Sequence, residues 1–129
     1  MINQLDQVML YVYDQEAAKN FWIEKLDFVE VSDISNQAIR TIVLKPTKAS
    51  QTEIVLHDKA KVEAMSLGIS TDTPSLMFGT DDIDKLYADF QSKGIFIGEL
   101  VESPQGRVFN FADSEDNYFA VKEDRKSVV

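Results

Sequence analysis

The sequence lacks cysteine, and it contains a single histidine, His57. Without cysteine the chain can form no disulfide, no thiolate nucleophile and no zinc-thiolate site. One histidine excludes a conventional metal site that uses two imidazoles, and no Gly-rich phosphate-binding loop is present. The absence of cysteine fits the cytoplasm, which is where we expect the protein to reside.

Long apolar segments and an excess of positive charge are also missing. No apolar run approaches the roughly 20 residues that span a bilayer, and residues 1–14 show no basic segment followed by an apolar stretch of signal-peptide length. The 13 Lys and Arg residues are outnumbered by 22 Asp and Glu residues, which gives a net charge of −9. Because this charge repels nucleic-acid phosphates and anionic membranes, we expect neither as a partner.

The remaining composition is that of an ordinary globular protein. Of the 129 residues, 44% are hydrophobic and 27% are charged, which predicts one domain with a packed core. A strand is predicted at residues 5–13, and Asp14 supplies an oxygen that can cap the following helix. That helix is predicted at 15–26, with Trp22 on the side that packs against a sheet. Three β-type runs follow, at 28–33, 38–45 and 52–57.

The second half of the chain repeats this order. Residues 58–73 contain a possible helical turn but no clear strand pattern, so they are interpreted as a linker. A strand at 75–80, a helix capped by Asp81 or Asp82, and strands at 95–101, 106–112 and 117–123 then complete a second set. A shift of 68 residues superposes the two halves with their apolar anchors in register, for example Trp22 on Phe90. The sequence therefore predicts an internal duplication in an α+β fold.

Three segments resemble a known family. DQVMLYVYDQEAAKNFWIEKLDF resembles the opening strand and helix of the glyoxalase, bleomycin-resistance and extradiol-dioxygenase superfamily, also called vicinal oxygen chelate. SLMFGTDDIDKLYADFQSKGI resembles the opening of that superfamily's second module, and GRVFNFADSEDNYFAVKE resembles its closing strand, turn and strand. In the closing turn, Ser114 and Asp116 replace the usual Pro and Gly, but Asp and Asn tolerate left-handed backbone, so the turn can still close.

The resemblance implies a fold of two βαβββ modules whose curved mixed sheets face each other around a cavity. Module 1 is expected at about 1–58, a linker at about 59–73, module 2 at about 74–124 and a tail at 125–129, all within a single domain. Members of this superfamily commonly form homodimers, so a homodimer is expected here. The sequence itself contains no separate indication of one.

The resemblance also locates the positions that hold metal ligands in metal-using members. They fall on Gln7 and Ser75, where His is usual, on Glu53, and on Ala120, where Glu is usual. Gln and Ser are weak metal ligands and the Ala side chain has no ligand atom, so we expect no metal and no other cofactor. His57 shares strand parity with Glu53, but four residues of strand place it roughly 13 Å away, too far to share an ion.

Strand alternation extends these positions to a predicted cavity lining. A mixed aromatic, thioether and amide surface suits a small organic molecule. The alternative for Met9, Tyr11 and Met77 is plain core. For Glu53 the alternative is a solvated or hydrogen-bonded carboxylate on a sheet, and for His57 it is an exposed or packing residue. Arg40 is a further candidate whose register the sequence leaves open. The predicted ligand-contact residues are Gln7, Met9, Tyr11, Arg40, Glu53, His57, Ser75, Met77, Asn110 and Tyr118.

The leading functional hypothesis is a superfamily member with a degenerate metal site that binds or sequesters a small organic molecule. The alternative is a lyase, isomerase or dioxygenase resembling glyoxalase I, with a displaced metal or with Glu53 as a metal-free base. A third interpretation is a partner-binding module without a small ligand. The sequence contains no nucleophile triad, because one His and no Cys leave only Ser or Thr with an unplaced base.

Overall fold

The computed structural model describes residues 1–124, so the predicted tail at 125–129 lies outside it. The chain divides into two compact units, the first ending at Pro74 and the second beginning at Ser75. Each unit holds one four-stranded mixed sheet, which confirms the predicted α+β class. The elements of the first unit are β1 (Gln7–Val12), α1 (Gln15–Asn20), a π-helical turn (Phe21–Lys25), β2 (Val29–Asn36), β3 (Ile39–Lys45), β4 (Glu53–Asp58) and α2 (Lys59–Ala64). Those of the second are β5 (Met77–Thr80), α3 (Ile83–Ser92), β6 (Val101–Ser103), β7 (Gly106–Ala112) and β8 (Tyr118–Glu123).

The two sheets have the same topology. The first has the strand order β1-β4-β3-β2 and the second has the order β5-β8-β7-β6. In each sheet the first strand runs parallel to the fourth, and the remaining neighbours are antiparallel. The internal duplication predicted from the 68-residue shift is therefore present in the backbone.

The first helical segment begins where the sequence predicts, but its second half is π-helical. The Asp14 side chain accepts a hydrogen bond from the Ala17 amide at 3.0 Å and caps the helix. The predicted helix at 15–26 is in fact α-helical only to Asn20, and a π-helical turn continues it to Lys25. Trp22 lies in this turn with no exposed surface, as expected for a core residue, and its ring meets Phe28 edge-on at 5.0 Å.

A charged cluster joins α1 to the neighbouring strands. Asp33 on β2 accepts two hydrogen bonds from the Arg40 guanidinium, at 2.9 and 2.6 Å, and one from the Lys19 ammonium at 2.8 Å. Arg40 also pairs with Glu16 at 3.0 Å, and Lys19 pairs with Glu30. The bonds from Arg40 and then Lys19 hold the pKa of the Asp33 carboxyl well below its usual range.

The second unit repeats this construction with an aromatic core. Asp82 caps α3 by accepting from the Lys85 amide at 3.1 Å. Phe90 on α3 meets Phe109 and Phe111 on β7 edge-on, at 5.6 and 5.4 Å between ring centroids.

An ion pair also connects β7 to α3. The Arg107 guanidinium on β7 donates two hydrogen bonds to the carboxylate of Asp84 in the first turn of α3.

Two regions differ from the sequence-based prediction. The strand predicted at 95–101 is wrong: Ile97 forms an isolated bridge there, with Phe111, and β6 begins at Val101. Helix α2 occupies part of the predicted linker, and the Asp58 side chain caps it by accepting from the Lys61 amide at 3.1 Å. Among residues 1–124, no helix is long and apolar enough to cross a membrane.

The turn at 113–117 closes despite its departures from the family pattern. The Asp113 carboxylate accepts from the amides of Glu115 and Asn117, each at 2.9 Å. Asp116 takes the left-handed backbone conformation, with φ at 60°. This confirms that an Asp at this place lets the turn close.

Candidate functional site

Each sheet has one face that packs against its own helix and one that does not. In the first sheet, Leu10 and Leu56 are paired neighbours with 2% and 0% exposure, and Gln15 on α1 donates to the Leu56 carbonyl at 2.9 Å. Side chains alternate along a strand, so the residues between these buried ones lie on the opposite face. We call this the first distal face; its residues on β1, β3 and β4 are Gln7, Met9, Tyr11, Thr41, Val43, Lys45, Glu53, Val55 and His57.

A polar row crosses one end of the first distal face. Gln7 on β1 lies beside Glu53 on β4, and its amide Nε2 donates to the Glu53 carboxylate at 3.0 Å. Leu44 on β3 pairs with Ile54, so the next residue along β3, Lys45, lies opposite Glu53. An amide, a carboxylate and an ammonium group therefore share one row, which suits a ligand with both donor and acceptor groups.

The other end of this face is aromatic and contains sulfur. The Tyr11 and His57 rings stack with centroids 5.5 Å apart and an interplanar angle of 23°. The His57 Nε2 atom lies 3.1 Å from the Met9 sulfur. Burial lowers the pKa of the His57 imidazole, so the ring is neutral at neutral pH and presents one N–H and one lone pair.

The second sheet has an equivalent face, opposite α3, which we call the second distal face. Met77 on β5, Ala120 on β8 and Asn110 on β7 are cross-strand neighbours in one row of it. Met77 and Tyr118 are 55% and 60% exposed, and the Tyr118 ring meets Phe96 edge-on at 6.3 Å. Ser75 precedes β5 and is exposed.

Among the candidates on the first sheet, Arg40 lies on the face opposite the others, so its inclusion among the cavity-facing residues needs correction. On β3 it alternates with Thr41, which lies on the first distal face, and it shares the opposite face with the buried Ile42. Asp33 and Glu16 hold the Arg40 guanidinium on this side, at 2.6 and 3.0 Å. Arg40 therefore fastens α1 to the sheet instead of facing a ligand.

The positions that the resemblance assigns to metal ligands do not suit a divalent transition ion here. Gln7 and Glu53 are adjacent, but the Gln7 amide nitrogen is a donor to the carboxylate, and Ala120 beside Met77 has no donor atom. Within residues 1–124, no three His, Cys, Asp or Glu side chains are grouped so that they could hold a metal ion. Such ions bind most tightly to several imidazole, thiolate or carboxylate ligands.

Several residues of the first distal face were missed by the sequence analysis. Thr41, Val43 and Lys45 lie on it through β3, and Ile34 joins them because it pairs with Thr41. The period-2 alternation of 38–45 was the available signal. It did not suffice because both alternating sets on β3 contain apolar residues.

The sequence comparisons agree with this architecture. The family model described as Glyoxalase/Bleomycin resistance protein/Dioxygenase superfamily matches residues 4–121. Two proteins of Bacillus subtilis (strain 168) are similar to the chain along most of their length. The uncharacterized protein YetH is 32% identical over 124 residues, covering 95% of this chain and 100% of YetH. The uncharacterized protein YurT is 35% identical over 118 residues, covering 87% and 92%.

A solved structure of similar fold is that of an antibiotic binding protein. TnmS3, an antibiotic binding protein from Streptomyces sp. CB03234, superposes with a TM-score of 0.81 and 26% sequence identity. The match covers 96% of this chain and 98% of TnmS3. A fold of this kind therefore serves antibiotic binding in that protein.

Proposed function

The chain belongs to the Glyoxalase/Bleomycin resistance protein/Dioxygenase superfamily, and on that premise we propose that it binds a small organic molecule without a metal ion. The observation that carries the proposal is the chemistry of the first distal face. Gln7 takes the place of a family histidine and bonds to Glu53, while Tyr11 and His57 present stacked rings at the other end. Function resides in such a site and not in the scaffold.

The proposed ligand has an apolar or aromatic part and a hydrogen-bonding part. The Tyr11 and His57 rings and the Met9 thioether offer soft, polarisable surface for the first part. The row of Gln7, Glu53 and Lys45 offers donors and acceptors for the second. The antibiotic-binding description of TnmS3 supports the same ligand class. We propose further ligand contacts in the second unit, at Ser75, Met77, Asn110 and Tyr118.

A ligand screen tests this proposal. Any molecule that binds only the folded state raises its stability, so a binder in a panel of antibiotics, including bleomycin, should raise the melting temperature. For the best binder, Tyr11→Leu is expected to lower the affinity about fivefold to tenfold, because an aromatic contact contributes about 1 kcal/mol. Isothermal titration calorimetry measures the change, and Glu99→Gln, an exposed position, serves as the control. No stabilisation by any compound would favour a partner-binding module instead.

A second candidate function depends on Glu53. Its carboxylate lies on the first distal face, where Gln7 donates to one oxygen, and in this proposal the other oxygen accepts a proton from a substrate. This would make the protein a lyase, isomerase or dioxygenase with a metal-free base. If turnover of the methylglyoxal–glutathione adduct or of catechol is found, Glu53→Gln should abolish it, whereas unchanged turnover removes Glu53 from the chemistry.

We also propose that the chain forms a homodimer, as members of its superfamily commonly do. Large apolar side chains that are exposed on a single chain and lie outside both distal faces support this, among them Leu67 and Ile69 at 61% and 53% exposure. Light scattering should give twice the chain mass of 14.6 kDa. A mass of one chain across the micromolar range would contradict the dimer.

A cytoplasmic location is proposed as well, and the absence of cysteine supports it. Fractionation of cells that express the tagged chain should recover it with cytoplasmic markers. Recovery with secreted proteins would contradict the location.

A further inference from the structure

The two halves of the chain each place a methionine at the same position of the internal repeat, on their first strand. Met9 and Met77 are separated by the 68 residues of the internal repeat, and each lies on the distal face of its own sheet. The two residues are 37% and 55% exposed on a single chain, so a small oxidant in solution can approach both side chains. Because the chain has no cysteine, its four methionines are its only sulfur nucleophiles.

The surroundings of Met9 favour an oxidised product. Its sulfur lies 3.1 Å from the His57 Nε2 atom, and stacking on Tyr11 holds the imidazole in place. A neutral imidazole with its hydrogen on Nε2 donates weakly to a thioether, since sulfur is a poor acceptor. A sulfoxide oxygen is a much better acceptor, so the same N–H would bind it more strongly.

We propose that Met9 and Met77 are sites of reversible oxidation to methionine sulfoxide by peroxides, and that this oxidation weakens the binding of apolar ligands. In the reaction the sulfur attacks one peroxide oxygen and the O–O bond breaks. With hydrogen peroxide, the sulfur gains that oxygen and the second oxygen leaves as water. Methionine sulfoxide reductases reverse the change.

The effect on binding follows from the position of the two residues. Oxidation converts a flexible apolar side chain into a polar one on the surface that we propose contacts the ligand. An apolar ligand then covers a sulfoxide oxygen and displaces the water molecules that donate to it, without replacing their hydrogen bonds, so we expect the affinity of the ligand to fall about tenfold. This inference rests on the proposed function, because it concerns the same distal faces.

The test combines peptide mass spectrometry with binding of the neutral dye Nile red. After brief treatment with hydrogen peroxide, we expect sulfoxide at Met9 and Met77, about tenfold weaker dye binding, and recovery with both sulfoxide reductases. In the double variant Met9→Leu/Met77→Leu, peroxide treatment should no longer change the affinity for the dye. The control Met65→Leu should respond like the unaltered chain, because Met65 is 42% exposed but lies at the end of α2 and outside both faces.

The outcomes separate the two proposals. Dye binding that stays unchanged when both sites carry sulfoxide overturns the inference and leaves the binding function standing. Oxidation of Met65 ahead of both Met9 and Met77 overturns it as well. No dye binding to the reduced protein counts against the proposed function and overturns the regulatory inference with it.

Discussion

Replacing Trp22 by alanine is expected to lower the free energy of unfolding by about 3–5 kcal/mol, because the ring is completely buried and its removal leaves a cavity. Phe90 occupies the equivalent position in the second unit and is 4% exposed, so Phe90→Ala should cost about 3–5 kcal/mol as well. Urea denaturation followed by far-UV circular dichroism measures both changes. Fluorescence is unsuitable because Trp22 is the only tryptophan.

An exposed aromatic residue provides the matched control. Phe96 is 66% exposed, so Phe96→Leu should change the free energy of unfolding by less than about 0.5 kcal/mol. If Phe90→Ala proved as mild as Phe96→Leu, the two halves would not depend on equivalent core anchors.

Replacing Asp33 by asparagine is expected to lower the free energy of unfolding by about 1–2 kcal/mol at neutral pH, because the charge-assisted hydrogen bonds from Arg40 and Lys19 are weakened. The change is no larger because solvent partly screens these charges. The pKa of Asp33 is lowered in the folded state, mainly by the hydrogen bonds from Arg40 and then from Lys19. A lowered pKa adds stability above the ordinary value of about 4, and this stability is lost as the pH falls through the folded-state value. The difference between the two proteins should therefore shrink below about pH 4.

Urea midpoints recorded between neutral and strongly acidic pH test this dependence. The control is Asp72→Asn, an exposed aspartate outside the charged cluster. A difference between Asp33→Asn and the unaltered chain that stays constant down to strongly acidic pH would show that the Asp33 charge is not the source of the stability.

Much of the fold could be predicted because the local signals and the tertiary structure agree. Asp14 and Asp82 are good N-cap residues, and the structure uses both as caps. The alternation in β1 places Leu10 in the core, which leaves Met9 on the other face. The repeat itself was detectable because apolar anchors recur in register at a shift of 68 residues.

Which side chains of β3 face the core depends on contacts that the alternation of its residues does not reveal. Both alternating sets of residues on this strand include apolar side chains, so the pattern does not select one set for the core. The placement of Arg40 is decided by Asp33 on the neighbouring strand and by Glu16 on α1, which is distant in sequence. Ion pairs of this kind become visible only when the elements are assembled.

The prediction of a strand at 95–101 was wrong for a similar reason. This segment contains suitable apolar residues, but it pairs with β7 at Ile97 alone before β6 begins at Val101. A strand needs a continuous partner as well as β-forming residues, and the sequence of one segment does not describe its partner.

The most direct test of the account is the metal content of protein purified without chelator, measured by plasma-emission analysis. Gln7, Ser75 and Ala120 stand where a divalent ion would need imidazole or carboxylate ligands, so we expect far less than one transition-metal ion per chain, and we expect the affinity for the best ligand to be unchanged by EDTA. About one Ni, Zn, Fe or Mn ion per chain, together with loss of binding in EDTA, would contradict the account.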